Sequence, residues 1–310
     1  NGTAVEDCSG ECGGTAVEDE CGVCNGSGSP ENYDCSGNCT ANVDCSGECG
    51  GSAVEDECGV CDGYGTTCSA PITDIDGNVY ETVQIGDQVW MAENLKTTKY
   101  KDGSAISTGY TDSEWADLVI TKTGAYGVYD DDPANADIYG YLYNWFASKD
   151  DNLCMEGWHV PTDDEYKQLE MYLGMSEEDA NLISWTDRGT NEGSKLAGRS
   201  DLWIDPYSSV WKDTIDVNEE FGTSGFNALP GGYRAWQSGA FNNTIGQYAF
   251  FWTSSKYDAL EYNEYGTSAW KRALDNRYSE IIRTYQYKQY GGSVRCIKGE
   301  MPDCNGVPGG

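Results

Sequence analysis

The spacing of apolar positions divides the chain near residue 70. Beyond Ile72 they recur with the periods of regular structure; before it they hardly occur. Val79–Ile85 and Gln88–Ala92 alternate apolar with polar and are separated by Gly86-Asp87, the pattern of a β-hairpin. Thr162-Asp163-Asp164-Glu165 is a capping box; Tyr166, Leu169, Met171 and Leu173 come after it and Gly174 ends it, which predicts a helix. A second short helix is expected at Ser176–Ile183. After Trp203 the chain becomes glycine-punctuated and aromatic, and strands are expected within Phe221–Arg234, Tyr248–Ser255, Thr267–Asn276, Ser279–Tyr285 and Ser293–Lys298. One or two helices among many short strands describe an α+β domain over residues 71–300, with Pro71 at its edge.

Residues 1–70 obey another rule. Asp7–Gly28 (DCSGECGGTAVEDECGVCNGSG) and Asp44–Gly65 (DCSGECGGSAVEDECGVCDGYG) differ at three positions. A divided copy stands at the ends: Asp303–Gly310 matches the front of the unit, with Pro308 in place of a cysteine, and Gly2–Asp7 matches its middle. Self-similarity of this kind marks an array. The region holds Cys8, Cys12, Cys21, Cys24, Cys35, Cys39, Cys45, Cys49, Cys58, Cys61 and Cys68, with few aliphatic residues, so it needs cross-links in place of a core. A tetrahedral zinc site and disulfides both fit such spacing. The absence of any Lys or Arg before residue 70 leaves nothing to depress the thiol pKa values, and disulfides are favoured. The tail, 301–310, carries the partial repeat and Cys304.

Charge narrows the function classes. The net charge of −33 excludes phosphate neutralisation, hence nucleic-acid binding, and disfavours anionic lipid. No apolar run reaches transmembrane length and no signal peptide is present, so Asn1 reads as a processed or excerpted start. An acidic, cysteine-dense segment belongs in an oxidising, extracellular setting. Asp19, Asp56 and Asp62 on glycine-rich turns, and Asp130, Asp131 and Asp132 before Pro133, are candidate calcium ligands; the alternative is a solvated acidic surface.

Six phrases resemble one family: ITDIDGNVYETVQIGDQVWMAENLK (Ile72–Lys96), YDDDPANADIYGYLYNWFA (Tyr129–Ala147), LCMEGWHVPTDDEY (Leu153–Tyr166), GFNALPGGYR (Gly225–Arg234), FFWTSS (Phe250–Ser255) and GGSVRCIK (Gly291–Lys298). Together they resemble the Fibrobacter succinogenes major paralogous domain of secreted and surface proteins. That resemblance implies a C-type-lectin-like fold, shared with formylglycine-generating enzymes, and a disulfide between Cys154 and Cys296. Such a bond would restrain the unfolded chain by about 4–5 kcal/mol in the entropic model. With eleven cysteines in the stalk, Cys304 makes the number even. Its expected partner is Cys8 of a following copy, with Cys68 of the same chain the rival.

A catalyst is not expected. His159, the only histidine, lies near Cys154 in sequence, but Cys154 has its use in the disulfide and no third group orients the pair. Formylglycine chemistry would need reactive cysteines that this domain lacks, and a Trp-Asn-Asp lectin strand is replaced by Trp252-Thr253-Ser254. Trp203, Trp211 and Trp236 are candidates for stacking on sugars, with core packing as the commoner use. Asn1, Asn38 and Asn242 open N-x-Thr sequons, and Asp213-Thr214-Ile215 resembles a bacterial O-glycosylation site at Thr214. The expectation is a structural subunit that joins copies of itself head to tail through its stalk into a filament, sheath or fibre. The alternative is a secreted adhesin that binds polysaccharide.

Overall fold

A computed structural model describes residues 5–45, 47–53, 71–149, 152–185, 188–204, 214–258 and 268–299. The chain forms two compact units, 1–68 and 69–310.

The first unit is a string of tight hairpins, each built on one aspartate. In Asp7-Cys-Ser-Gly-Glu11-Cys12 the Gly10 N–H donates to the Asp7 carbonyl, the Asp7 N–H donates to Glu11, and Glu6 bridges Cys12. Gly10 sits at φ +83°, a region that side chains resist. Asp19, Asp34 and Asp44 repeat the arrangement, with bridges Glu18 to Cys24, Tyr33 to Cys39 and Val43 to Cys49. In each, one carboxylate oxygen accepts the N–H four residues on. For Asp7, Asp19 and Asp44 the other oxygen accepts the N–H nine residues on, tying the turn to the start of the next segment. Aspartate fits because its short carboxylate reaches its own turn.

The same hairpin opens the second unit. β1 (Ile72–Thr73) and β2 (Val79–Tyr80) flank Asp74-Ile-Asp-Gly-Asn78, and the Asp74 carboxylate accepts from the N–H groups of Asp76 and Asn78. Valine replaces the cysteine after Asn78, and the staple becomes a core contact: Tyr80, fully buried, donates its hydroxyl to Asp74 at 2.6 Å.

The second unit is α+β with short antiparallel strands. β3 (Thr82–Ile85) and β4 (Gln88–Met91) form the hairpin expected around Gly86-Asp87, with Ile85 opposite Gln88. Further strands are β5 (Tyr126–Gly127), β6 (Leu142–Tyr143), β7 (Trp158–His159), β8 (Tyr248–Lys256), β9 (Ser268–Asp275), β10 (Ile282–Tyr287) and β11 (Ile297–Lys298). One sheet runs β3-β4-β11-β7 and another β10-β9-β8. β8 is buried on both faces: Phe250 and Trp252 enter one core cluster, Ala249 and Phe251 the other. Cys154 and Cys296, bonded and without exposed surface, lie in the first cluster.

Among the described residues the helices are short: α1 (Asp112–Ala116), α2 (Leu118–Thr121), α3 (Pro133–Tyr139), α4 (Trp145–Ser148), α5 (Asp163–Tyr172), α6 (Glu177–Asn181) and α7 (Glu192–Leu196). α5 starts at the Thr162–Glu165 capping box and stops before Gly174; α6 begins after Ser176. On α5 Met171 is exposed, while Glu170 is buried. Phe221–Arg234 is not a strand, because Gly222, Gly225 and Asn227 all take left-handed backbone angles that break a pleat. In the last stretch only Ile297–Lys298 is strand.

Glu170 belongs to a sealed ionic network that holds α5 to β9 and β10. Arg272 donates to Glu170 at 2.5 Å and to Asp163 at 2.7 Å, while Arg188 caps the other Glu170 oxygen. Arg283 grips Asp163 through two nitrogens at 2.9 and 2.6 Å, donates to the carbonyls of Asn181 and Leu182, and stacks 3.8 Å over Trp270. Charges so deep persist only when their hydrogen bonds are met from several directions.

Candidate functional site

The stalk cysteines acquire their roles from the hairpin register. In every hairpin a cysteine stands at the second, third or sixth position counted from the aspartate. Cys8, second in its hairpin, bonds Cys24, sixth in the next. Cys21, third, bonds Cys35, second in the next. Cys39 and Cys49, sixth in successive hairpins, bond each other. Cys45 is also disulfide-bonded. Disulfides, not a thiolate metal site, therefore connect the described stalk. Cys58, Cys61, Cys68 and Cys304 lie outside the described residues.

One position is open. Cys12 is exposed and free among the described residues. Its repeat equivalent is Cys49, which is closed by a cysteine of the preceding hairpin; Cys12 belongs to the first described hairpin. Cys8, expected as the link to another copy, is instead held by Cys24 within the stalk. Counting cysteines could not separate Cys8 from Cys12, since the difference lies in which hairpin each closes.

The acidic residues serve the backbone. Asp19 accepts N–H groups from Cys21, Val23 and Gly28 at 2.8–2.9 Å, and these bonds, Val23 first, lower its carboxyl pKa. In Asp7 the Ser9 hydroxyl, with the N–H groups of Glu11 and Ala16, lowers it to about 2. Asp132 caps α3, its carboxylate accepting the Ala134 N–H at 3.0 Å, and Asp130 and Asp131 lie exposed in the left-handed turn before it. Among the described residues no group of three or more His, Cys, Asp or Glu is placed to hold a metal ion. Asp56 and Asp62 are outside the described residues.

His159 is buried on β7 between two acceptors: Nδ1 lies 2.9 Å from the Gly299 carbonyl and Nε2 2.8 Å from the Glu165 carboxylate. A carbonyl only accepts, so the ring donates there. The imidazolium form satisfies both contacts and ties the last strand to the start of α5. Burial would raise the Glu165 pKa, but the His159 contact leaves it lowered. Cys154 is in its disulfide and offers this ring no thiol.

The modification candidates fare unevenly. Thr214 is buried, which closes it to glycosylation in the folded chain. Asn242 is exposed, although the hydroxyl of its sequon residue Thr244 is buried, donating to Phe241 and accepting from Tyr233. Asn38 is exposed, with its amide nitrogen on Asp34 at 2.9 Å. Asn1 lies outside the described residues. Of the tryptophans considered for stacking, Trp203 is core and donates to Gly198, Trp236 packs 4.2 Å from the Tyr287 ring, and Trp211 is not among the described residues.

No helix among the described residues is long and apolar enough to cross a membrane. The model of the Fibrobacter succinogenes major domain matches residues 83–298. No curated protein and no solved structure matched the chain.

Proposed function

The chain belongs to the Fibrobacter succinogenes major domain family, and from that premise we propose that it is an extracellular structural subunit. A C-type-lectin-like domain is carried on the cystine-linked acidic stalk, and copies join through that stalk. The observation that carries this reading is the unfilled place at Cys12 in a register otherwise paired among the described residues.

The tail sequence Asp303-Cys304-Asn305-Gly306-Val307 keeps the hairpin pattern and presents its cysteine at the second position. At the head of the stalk, second-position Cys8 bonds Cys24, sixth in the next hairpin, across 16 residues, whereas second-position Cys35 bonds back to Cys21. Placed ahead of Asp7 of another copy, Cys304 stands to Cys12 as Cys8 does to Cys24. Repeated between copies, a heterologous contact of this kind does not close on itself and yields a polymer. A net charge of −33 keeps such strands apart and soluble.

The experiment mixes unlabelled and nitrogen-15-labelled chains during oxidation and maps disulfides without reduction. The reading predicts a Cys12–Cys304 peptide pair of mixed label, in high-mass species that reduction dissolves. A pair whose two halves always share one label, or a free Cys12 in every high-mass species, would refute joining through this bond.

A further inference from the structure

We propose that a cavity on the Phe250 face of the β8-β9-β10 sheet binds the ring of an acidic sugar, its carboxylate held by Lys271 and its apolar face by Trp185. The proposal is independent of how copies of the chain join.

The floor comes from alternate residues of three strands: Tyr248 and Phe250 on β8, Lys271, Ala273 and Asp275 on β9, Ile282 and Gln286 on β10. Tyr233, Tyr290 and Trp185 wall it into a cavity of about 250 Å³. Drug-sized sites run from about 300 Å³ upward, so one ring fits.

Lys271 is the anomaly. It is only 8% exposed, yet among the described residues its ammonium makes neither hydrogen bond nor ion pair; its neighbours are the Phe250 ring at 4.6 Å and the Trp185 ring at 5.6 Å. Three donors thus face the cavity without an oxygen to receive them. Burial lowers its pKa to about 8 against the pull of Asp275, leaving the group mostly cationic at neutral pH. A carboxylate entering the cavity would supply the missing acceptor. The Asp275 carboxylate does not, being engaged by Arg277 at 2.5 and 2.9 Å.

The remaining lining selects a sugar over a plain apolar acid. Tyr248 with Arg277, and Gln286, offer donors and acceptors at the cavity, which hydroxyls use and a hydrocarbon body would strand. Trp185, 55% exposed, borders the cavity and gives indole surface for the C–H side of a ring, beside Tyr285 at 6.3 Å. The acidity of the whole chain does not forbid an anion here, because screening confines distant charges to about 8 Å at physiological salt, and of the charges lining the cavity Asp275 is paired with Arg277 while the Lys271 ammonium is not.

The test titrates the full chain by calorimetry with galacturonate, galactose and acetate at neutral pH. Saturable galacturonate binding is expected, with galactose and acetate at least about tenfold weaker. Lys271→Met and Trp185→Ala are each expected to weaken galacturonate about tenfold or more. Trp185 is exposed, so its variant keeps the test open should Lys271→Met fail to fold. Equal binding of galactose overturns the carboxylate contact, and equal binding of acetate overturns the ring contact. Absence of saturable galacturonate binding, or a Trp185→Ala chain that binds as the parent does, overturns the proposal.

Discussion

Asp163→Asn is the sharpest probe of what holds the second unit together. The substitution keeps the shape of the side chain and removes its charge, leaving Arg272 and Arg283 facing a neutral amide. Three charge-assisted bonds of 2.6–2.9 Å are lost or weakened. Removing one partner of a buried pair costs about 3–5 kcal/mol. The lower end applies, because Arg272 retains Glu170 and Arg283 retains the Asn181 and Leu182 carbonyls and the Trp270 face. The loss should therefore be about 3 kcal/mol, lowering the melting temperature by roughly 6–12 °C for a unit of this size.

The dependence on pH has a definite sign. Burial alone would raise the Asp163 pKa, but the guanidinium charges of Arg272 and Arg283 outweigh it and hold the carboxyl well below its ordinary range. A depressed native pKa stabilises fully above the unfolded value, about 3.9, and the contribution fades as pH falls towards the native one. Urea unfolding with the disulfides intact, monitored by tryptophan fluorescence, should show a constant gap between parent and variant from pH 7 to 5 that narrows below about pH 4. A gap under about 1 kcal/mol at pH 7, or one that stays level down to pH 3, would refute the argument that this carboxylate is an ionised strut.

Three further outcomes are expected. Replacing Cys154 and Cys296 with alanine opens a loop of 142 residues and should cost about 5 kcal/mol in the entropic model, read from the urea midpoints of parent and variant. Asp132→Ala should cost about 1 kcal/mol through loss of the α3 cap, equally in calcium and in chelator; a calcium-dependent loss in thermal melts would instead mark Asp132 as a metal ligand. Gly193→Ala, ordinarily favourable in a helix, should destabilise by about 2–3 kcal/mol, since the added Cβ would collide with the backbone carbonyl of Glu280; a rise in the melting temperature would contradict that packing.

Local signals were legible where the chemistry is local. Gly86-Asp87 between alternating runs and Thr162 three residues before Glu165 each determine their own neighbourhood, and β3, β4 and α5 lie where those signals place them. Phe221–Arg234 misled because its aromatics suggest a strand while Gly222, Gly225 and Asn227 bend it through left-handed angles. The ionic network left no local trace, as Asp163, Arg188 and Arg283 come from segments far apart in sequence. Trp270-Lys271-Arg272 did carry a hint: two cations in the middle of an otherwise apolar strand need separate explanations, and one meets carboxylates while the other meets a cavity. The stalk was readable as a repeat, but Cys12 and Cys8 could be told apart only once the hairpins defined which cysteine closes which turn.

The cystines also set how far the stalk can be pulled. From Cys8 to Cys49 the polypeptide runs 41 residues, which fully extended would reach roughly 140 Å. The shortest covalent route crosses from Cys8 to Cys24, steps back to Cys21, crosses to Cys35, advances to Cys39 and crosses to Cys49. Only seven residues of backbone lie along it, and with three crossings of 5.2–5.6 Å its limit is roughly 40 Å. Under load the oxidised segment is a tether of nearly fixed contour length, and reduction would release roughly 100 Å of slack. A single-molecule stretch of the stalk should show that release as one covalent step after another, as each cystine is reduced in turn.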